Sequence, residues 1–305
     1  MTDSLKTKPI VLVTGANGMV AKKLVEFLSD SYSFRFLTRK ATSPNQFEWD
    51  IPNKKIDVKA FEGVQHIIHL AGANISDRRW TKKQKTNILS SRIESAQLIL
   101  STLKALNMNL DTFISASAVG IYDSKPSEKV FSEEDTKGSD FLAEVCTKWE
   151  ASAQSFKNEQ IAKNVIILRL GVILAKNEGA LLKLTAVIKK GLGSALGTGK
   201  QQFSWIHLED MVRLIEFSLT KENVQGTFNA VAPEHISNEE LTKKLAHKLK
   251  KRLFLPNVPA FVLKLIFGEM ASVLLTGNKV SPNKIIAEGF TFKYKTIDEA
   301  IDDLV

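Results

Sequence analysis

Residues Val11 to Ala21 read Val-Leu-Val-Thr-Gly-Ala-Asn-Gly-Met-Val-Ala, and this stretch decides the fold. A short β-branched run ends at Thr14 and turns through Gly15 and Gly18 into a segment with helical apolar spacing. A strand, a Gly-rich turn and a helix N-terminus in this order are typical of a site for the pyrophosphate of a dinucleotide. Glycine permits the turn and the close approach of backbone to phosphate, while the free N–H groups of the first helical turn face the anion. The residues of this stretch predicted to bind the cofactor are Thr14, Gly15, Asn17, Gly18, Met19 and Val20.

The second strand indicates which dinucleotide binds. Residues Ser33 to Leu37 alternate in polarity and are followed by Thr38-Arg39-Lys40, with no Asp or Glu at the strand end. A free ribose 2′-hydroxyl usually meets an acidic residue at this place, whereas a guanidinium suits a 2′-phosphate. Thr38 and Arg39 therefore favour NADP(H) over NAD(H). The alternative is that Arg39 is an ordinary solvated residue at a loop start.

Composition is that of a globular protein with ample core. The 305 residues are 44% hydrophobic and 25% charged. The single cysteine, Cys146, excludes an intramolecular disulfide framework and a multi-cysteine metal site. His66 and His69 lie three residues apart on a predicted strand and so face opposite sides of a sheet. We therefore predict no metal site.

Neither the N-terminus nor the longest apolar stretch predicts a membrane segment. Residues Met1 to Lys8 are polar, and the stretch from Val258 to Leu275 is interrupted by Lys264, Gly268 and Glu269. We interpret the latter as a core helix, predict no membrane span and expect a cytoplasmic protein.

The formal net charge is +9, and the densest basic patch runs from Lys243 to Arg252. Leu241, Leu245 and Leu249 form a stripe beneath this patch, as on an ordinary surface helix. Without a nucleic-acid motif we do not expect a nucleic-acid partner. The sequence leaves the oligomeric state open, with a homodimer as one option.

Alternating strand and helix patterns predict an α/β fold, a doubly wound parallel Rossmann sheet with helices on both faces plus a smaller, discontinuous C-terminal substrate lobe. We expect a dinucleotide-binding domain at 1–173, to which 205–232 returns, and the smaller lobe at 174–204 and 233–305. Val64 to Leu70 forms a buried strand that ends in Ala71-Gly72-Ala73, where small residues let a flat cofactor lie across the strand end. The helix from Thr81 to Leu106 is expected to turn Ile88, Arg92, Ser95, Leu98 and Ile99 inward.

The chain resembles the short-chain dehydrogenase/reductase superfamily on its extended, epimerase-like side, and more closely the atypical group called epimerase family proteins. The resemblance covers essentially the whole chain. Its motifs are Thr14-Gly-Ala-Asn-Gly18, His69-Leu-Ala-Gly-Ala-Asn74, Arg79-Trp80, Ser91-Arg92, Ser115-Ala-Ser-Ala-Val-Gly120, Asp140-Phe-Leu142, Trp149-Glu150, Leu168-Arg-Leu-Gly171, Ser204-Trp-Ile-His207 and Gly268-Glu-Met270. It implies NADP contacts at Thr38, Arg39, Leu70, Ala71, Arg92 and the backbone near Ile173. Gly72 and Ser115 complete the cofactor-binding residues that we predict.

The catalytic residues are where the sequence departs from the superfamily pattern. Its reductases and epimerases usually carry Tyr-x-x-x-Lys, in which the ammonium lowers the pKa of the phenol. No such motif exists in this sequence, and Leu142 and Cys146 stand where Tyr and Lys would lie. Ser117, with Ser115 as the alternative, best matches the hydrogen-bonding serine, and Tyr122 is the tyrosine placed to reach a substrate carbonyl. Glu144 and Cys146 are weaker candidates, as a helix-surface acid and an inert core cysteine respectively.

Two functional classes follow from these residues. One is an NADP(H)-dependent oxidoreductase or epimerase acting on a small carbonyl or hydroxyl compound of unknown identity, with Ser117 and Tyr122 polarising the substrate oxygen. The other is a non-catalytic NADP(H)-binding sensor or regulatory protein, as the missing Tyr-x-x-x-Lys pair suggests. The Gly-rich stretch from Gly191 to Gln201 is either a lid, with Lys200 and Gln201 contacting substrate, or a surface connector.

Overall fold

The fold is built around one eight-stranded sheet. The structure, a computed structural model, describes residues 8–123, 128–222 and 224–305. Its strands are β1 (Ile10–Thr14), β2 (Ser33–Thr38), β3 (Gln46–Asp50), β4 (Lys55–Ile56), β5 (Val64–His69), β6 (Leu110–Ala118), β7 (Val130–Phe131), β8 (Ala162–Leu170), β9 (Val172–Ala175), β10 (Trp205–His207), β11 (Gly226–Ala230) and β12 (Lys279–Val280). The large sheet has the order β11–β8–β6–β5–β1–β2–β3–β4, and all its neighbours are parallel except β3 and β4. The predicted parallel α/β Rossmann fold is thus confirmed.

Helices cover both faces of this sheet. The helices are α1 (Met19–Leu28), α2 (Lys82–Ala105), α3 (Phe141–Asn158), α4 (Gly179–Lys189), α5 (Leu208–Thr220), α6 (Asn238–Lys248), α7 (Ala260–Phe267), α8 (Ser272–Leu275), α9 (Asn283–Ala287) and α10 (Ile297–Leu304). Alternate residues of β1 point to opposite faces: Val11 and Val13 pack in one apolar core with α1 and α5, and Leu12 packs in the other with α2 and α3. Both faces of the strand are buried, which explains its continuous apolar run.

The neighbours of β1 in the sheet, β2 and β5, lie on opposite sides of it. The chain passes first to β2 on one side and later to β5 on the other, so the strand order reverses between β1 and β5. Ligands of open α/β sheets bind in the crevice outside the carboxyl ends of the strands at such a reversal. The ends of β1 and β5 are Thr14 and His69.

The segments after β8 build a separate apolar core. Leu174, Trp205, Leu241, Leu245 and Ile297 belong to it. The leucine stripe predicted under the basic patch therefore packs inward at Leu241 and Leu245. Within the region from 205 to 232, β11 pairs with β8 in the large sheet, while β10 pairs with β9 outside it.

The apolar stretch from Val258 to Leu275 is not the core helix that its composition predicts. It is divided into α7, a 3-10 turn at Gly268–Ala271, and α8. Gly268 ends α7 with φ +62°, and Leu263 is the buried residue of that helix. The helix therefore lies at the surface. Among the described residues, no helix is both long enough and apolar enough to span a membrane.

Candidate functional site

The turn between β1 and α1 is shaped for close backbone approach. Gly15 has φ +78°, and a Cβ atom there would lie 3.1 Å from the carbonyl oxygen of Leu70. Glycine is therefore required twice, by conformation and by space. The N–H of Gly18 donates to Gly15 O at 2.9 Å, and Gly18 caps α1 with no side-chain hydrogen bond. The first turn of α1 thus keeps free N–H groups and the positive end of the helix dipole for an anion.

Thr14 fastens this turn to the end of β5. Its hydroxyl oxygen accepts the N–H groups of Leu70 and Ala71 at 3.0 and 2.9 Å and lies 3.0 Å from Nδ1 of His69. With two donors accepted, the hydroxyl proton goes to Nδ1, and Nε2–H of His69 then faces Ser95 Oγ at 3.1 Å. Burial lowers the pKa of His69 to about 4, in keeping with a neutral ring. The Thr14 hydroxyl has no free position for a cofactor atom, so the predicted contact at Thr14 is not supported through its side chain.

The end of β2 presents one unpartnered hydroxyl and one exposed cation. Thr38 Oγ1 is buried and has no hydrogen-bond partner. A buried hydroxyl without a partner is uncommon and calls for an explanation. Arg39 is exposed beside it, and no salt bridge to Arg39 is found in the described part of the chain. Both residues fit the adenosine end of a dinucleotide.

A buried guanidinium lies under the end of β5. A Cβ atom on Gly72 would lie 2.9 Å from Cζ of Arg92. Arg92, on α2, is 9% exposed, donates to the carbonyl oxygens of Ala73 and Ile88 at 3.1 and 2.9 Å, and stacks 4.8 Å from the ring of Trp149. Within the described residues no carboxylate pairs with it. A buried charge without a counter-ion is costly, and an anionic ligand at this place would offset that cost.

Met19 and Ile173 both lie beside Gly179. A Cβ atom on Gly179 would lie 2.9 Å from Cε of Met19 and 3.9 Å from the carbonyl oxygen of Ile173. The beginning of α1 therefore lies close to β9. Asn17 is exposed on the turn and Val20 is buried beneath it. Most predicted cofactor residues are thus brought together at one edge of the sheet.

Ser117 and Tyr122 lie instead in a buried hydrogen-bond network. The Ser117 hydroxyl donates to Glu150 Oε1 at 2.8 Å, and Glu150 holds Arg169 through two bonds of 2.8 and 3.0 Å. Arg169 Nη1 donates to the Tyr122 hydroxyl at 3.0 Å, which in turn donates to Asn229 Oδ1 at 2.6 Å. This network joins the ends of β6, β8 and β11.

This geometry does not suit the catalytic role predicted for the two hydroxyls. Ser117 is 1% exposed and Tyr122 is 2% exposed. Burial raises the pKa of Tyr122 to about 12, the opposite of the activation that a neighbouring lysine provides. Ser115, also buried, donates to the carbonyl oxygen of Ala116. Polar side chains are satisfied here by protein partners.

The weaker catalytic candidates are likewise engaged. Glu144 pairs with Lys148 on the exposed side of α3. Cys146 is buried, and burial raises the pKa of its thiol to about 12. Gln201 donates from its amide to the carbonyl oxygens of Leu196 and Leu274 at 3.0 and 2.9 Å, so that nitrogen braces the Gly-rich stretch. Lys200 is exposed.

The sequence interpretation assigned no role to Glu150, Arg169 or Asn229. The sequence could have indicated that Arg169 is buried and paired, because a charged residue inside the apolar strand Val165 to Leu170 needs a buried partner. Its partner Glu150 lies 19 residues earlier on another element, and nothing local identifies it. Asn229 lies 107 residues after Tyr122, with the same consequence.

An open cavity of about 560 Å³ lies between the Gly-rich stretch and the segment that contains α7 and α8. Its lining includes Thr198, Lys264, Glu269, Ser272 and Thr276. The cavity wall is linked to the nucleotide-binding part of the chain, because Lys85 at the start of α2 pairs with Glu269 and Arg79 Nη2 donates to Leu265 O at 3.2 Å. It is a concave, partly polar site next to the N-terminal end of α2.

A doubly wound sheet with a glycine turn at its strand reversal defines a dinucleotide-binding Rossmann protein. The sequence model of the NAD dependent epimerase/dehydratase family matches residues 11–230, and the chain belongs to this family. A domain of unknown function, DUF1731, matches residues 258–304. The predicted resemblance to epimerase family proteins is confirmed.

Relatives and solved structures agree along nearly the full length. The chain is 35% identical to the chloroplastic epimerase family protein SDR39U1 homolog of Arabidopsis thaliana, covering 95% of this chain and 85% of the relative. It is 34% identical to epimerase family protein SAR0825 of Staphylococcus aureus, covering 96% and 98%. The human epimerase family protein SDR39U1, solved with NADPH, superposes with a TM-score of 0.85 at 27% identity, covering 97% and 98%. At the level of the family, the chain is an NAD(P)-dependent oxidoreductase or epimerase that binds a nicotinamide dinucleotide.

Proposed function

We propose that the chain is an NADP(H)-dependent oxidoreductase or epimerase acting on a small carbonyl or hydroxyl compound. The observation that carries the cofactor preference is made at the end of β2. There the unpartnered Thr38 hydroxyl lies beside the exposed Arg39, and no Asp or Glu stands at the strand end. A guanidinium binds a phosphate through two parallel hydrogen bonds, whereas a ribose 2′-hydroxyl is normally held by Asp or Glu. The NADPH in the human relative supports the same preference.

Other residues of the crevice complete the cofactor site in this proposal. The Gly15–Gly18 turn and the first turn of α1 hold the pyrophosphate, and the end of β5 at Leu70, Ala71 and Gly72 provides a flat wall. Arg92 provides a buried positive charge directly under that wall. NADP(H), when bound, supplies the hydride. The protein orients it and excludes water from one side.

We place the substrate in the cavity between the Gly-rich stretch and the segment that contains α7 and α8. Its volume of about 560 Å³ lies within the range of about 300–1,000 Å³ typical of small-molecule sites. Thr198, Ser272 and Thr276 offer hydroxyl groups, and Lys264 makes no ion pair within the described residues. These groups favour a polar substrate that carries hydroxyl or anionic oxygen atoms.

Ser117 and Tyr122 act in this proposal as positioning residues. Their hydroxyls hold Glu150, Arg169 and Asn229 and so fix the strand ends that border the crevice. A proton for the substrate oxygen then comes from a group other than Tyr122, since its pKa of about 12 disfavours proton exchange at neutral pH.

The second candidate function is a non-catalytic NADP(H) sensor. The observation that favours it is the same buried network, which leaves the expected serine and tyrosine without access to a substrate. A sensor binds NADPH tightly and consumes none in the presence of carbonyl compounds. The open cavity beside the N-terminal end of α2 favours a catalytic function over a sensor.

The test of the cofactor assignment is a pair of titrations with NADPH and NADH. We expect wild type to bind NADPH at least about tenfold more tightly, and Arg39→Ala to remove that preference, a change of about 1.4 kcal/mol. Lys40→Ala removes a neighbouring exposed cation and serves as the matched control, which keeps the preference. Equal binding of both dinucleotides to wild type contradicts the assignment.

The test of catalysis is NADPH oxidation across a panel of aldehydes, ketones and keto-sugars. Turnover that Lys264→Met weakens through KM supports the enzyme and the cavity. Tight NADPH binding without turnover of any compound in the panel supports the sensor.

A further inference from the structure

Helix α7 carries its apolar residues on the side that faces away from the protein. Phe261, Leu265 and Ile266 are 71%, 75% and 55% exposed, whereas Leu263 is 4% exposed. The charged residue of this helix, Lys264, lines the cavity. A surface helix ordinarily turns its apolar side to the core and its charges to water. In α7, by contrast, the exposed side is mostly apolar, with Phe261, Leu265 and Ile266 beside the exposed Lys264.

Two neighbouring segments extend this apolar surface. Phe254 and Leu255 are 77% and 47% exposed, and Leu192 is 56% exposed. The segments lie side by side, because the Ser194 hydroxyl donates to Pro256 O at 2.5 Å and Val258 N donates to Ala195 O at 2.9 Å. Clustered exposed apolar groups of this size mark an interaction surface. The apolar face consists of Leu192, Phe254, Leu255, Phe261, Leu265 and Ile266.

The two segments that carry the apolar face are basic, and the nearby acids Glu239 and Glu269 are paired with Lys243 and Lys85. Residues 179–200 and 250–267 contain eight Lys or Arg and neither Asp nor Glu. In α6, by contrast, Lys243, Lys244 and Lys248 are each paired with a carboxylate. Lys250, Lys251 and Arg252 lie just before Leu253 and Phe254 and make no ion pair in the described part of the chain. The basic patch is therefore neutralised along α6 and left free next to the apolar face.

We propose that the apolar face docks this protein onto the surface of an anionic lipid bilayer. Phe and Leu side chains at the headgroup boundary together with lysines on acidic headgroups are the two contributions that hold interfacial helices on membranes. A second copy of the chain fits less well, because an isologous contact would bring two positively charged faces together. The lipid surface supplies the opposite charge and an apolar layer at once.

The experiment uses the full chain with NADPH and sedimentation with vesicles of phosphatidylcholine alone or mixed with phosphatidylglycerol. We expect binding to the mixed vesicles, weakened by salt, and much weaker binding to phosphatidylcholine. Phe261→Ser/Leu265→Ser should reduce vesicle affinity at least tenfold. Lys250→Gln/Lys251→Gln/Arg252→Gln should reduce it by about fivefold per cation. Both variants alter exposed side chains, so NADPH affinity reports that the fold is intact.

Two controls remove the same chemistry elsewhere. Phe27→Ser changes a 41% exposed phenylalanine on α1, and Lys54→Gln/Lys55→Gln/Lys59→Gln removes three exposed cations near the β4 edge of the sheet. Both controls should bind vesicles like wild type. Absence of wild-type binding to the mixed vesicles overturns the proposal, as does equal loss in the controls. A wild-type dimer in light scattering that Phe261→Ser/Leu265→Ser makes monomeric, without vesicle binding, assigns the face to a second copy instead.

Discussion

A Cβ atom on Gly72 would lie 2.9 Å from the guanidinium carbon of Arg92, so the end of β5 rests directly on a buried cation of α2. The two residues lie on different elements, 20 positions apart in sequence. Their contact brings a positive charge beneath the strand end while keeping the surface above it flat. The φ of Gly72 is not among the positive values, so a side chain at position 72 would be opposed by its neighbour and not by the backbone: the guanidinium of Arg92 would have to shift.

The first prediction concerns this contact. Gly72→Ala should weaken NADPH binding at least about tenfold, because the added methyl group must displace the guanidinium of Arg92 or the wall above it. Arg92→Ala should weaken binding as well, through loss of the buried charge. In the Arg92→Ala background, however, Gly72→Ala should have little further effect, because the clash has been removed. Calorimetric titration of wild type, the two single variants and the double variant with NADPH completes this double-mutant cycle. Strictly additive losses of binding free energy would contradict a direct contact.

The second prediction concerns the Glu150–Arg169 pair. Both side chains are less than 8% exposed and joined by two hydrogen bonds. Glu150→Gln should lower the free energy of unfolding by about 3–5 kcal/mol, because it leaves the guanidinium buried without a counter-ion. Asp111→Asn, in the exposed pair with Lys163, is the control and should cost less than about 1 kcal/mol. Urea unfolding measures both, and similar small losses would show that the Arg169 charge reaches water.

The third prediction separates a positioning role for Tyr122 from a catalytic one. Tyr122→Phe removes the donor to Asn229 and an acceptor of Arg169, and should cost about 1–3 kcal/mol of stability. Since burial holds the pKa of Tyr122 near 12, the variant should show the same phenolate absorbance as wild type from neutral pH to about pH 10. Loss of an ionising phenol within that interval, with stability unchanged, would return Tyr122 to the catalytic candidates.

The sequence was most informative where local chemistry sets the structure. The turn from Thr14 through Gly18 requires glycine for backbone reasons, and it predicted the strand, the helix and the crevice between them. The inner side of α2 followed from its spacing alone, since Ile88, Arg92, Ser95 and Ile99 are all buried as predicted. These features depend on residues a few positions apart.

The features that the local sequence does not reveal depend on distant partners. Ser117 and Tyr122 have the sequence context of a catalytic pair, but Glu150, Arg169 and Asn229 use their hydroxyls from remote elements. Val258 to Leu275 has the composition of a core helix, but Gly268 stops α7 after eight residues and places Phe261 and Leu265 in solvent. Hydrophobicity alone does not state which side of a helix meets the core.

The last prediction concerns the pH dependence of stability through His69. Burial lowers the pKa of His69 to about 4, below the usual value of 6.5. At a pH between these two values, His69 binds a proton in the unfolded chain but not in the folded protein. The stabilisation is complete above about pH 6.5 and is lost as pH falls toward 4, with about 2 kcal/mol lost by pH 5. His66 and His207 have pKa values lowered by burial too and add to the same dependence of stability on pH.

The contribution of His69 is therefore the difference between wild type and His69→Gln or His69→Asn, which keep hydrogen-bonding atoms but do not titrate. Urea unfolding at pH 7.5 and pH 5 should show a smaller acid loss in these variants than in wild type, while His247→Asn, at an exposed histidine, should match wild type. An equal acid loss in wild type and the His69 variants would mean that the ring is protonated in the folded protein and that Thr14 does not donate to it.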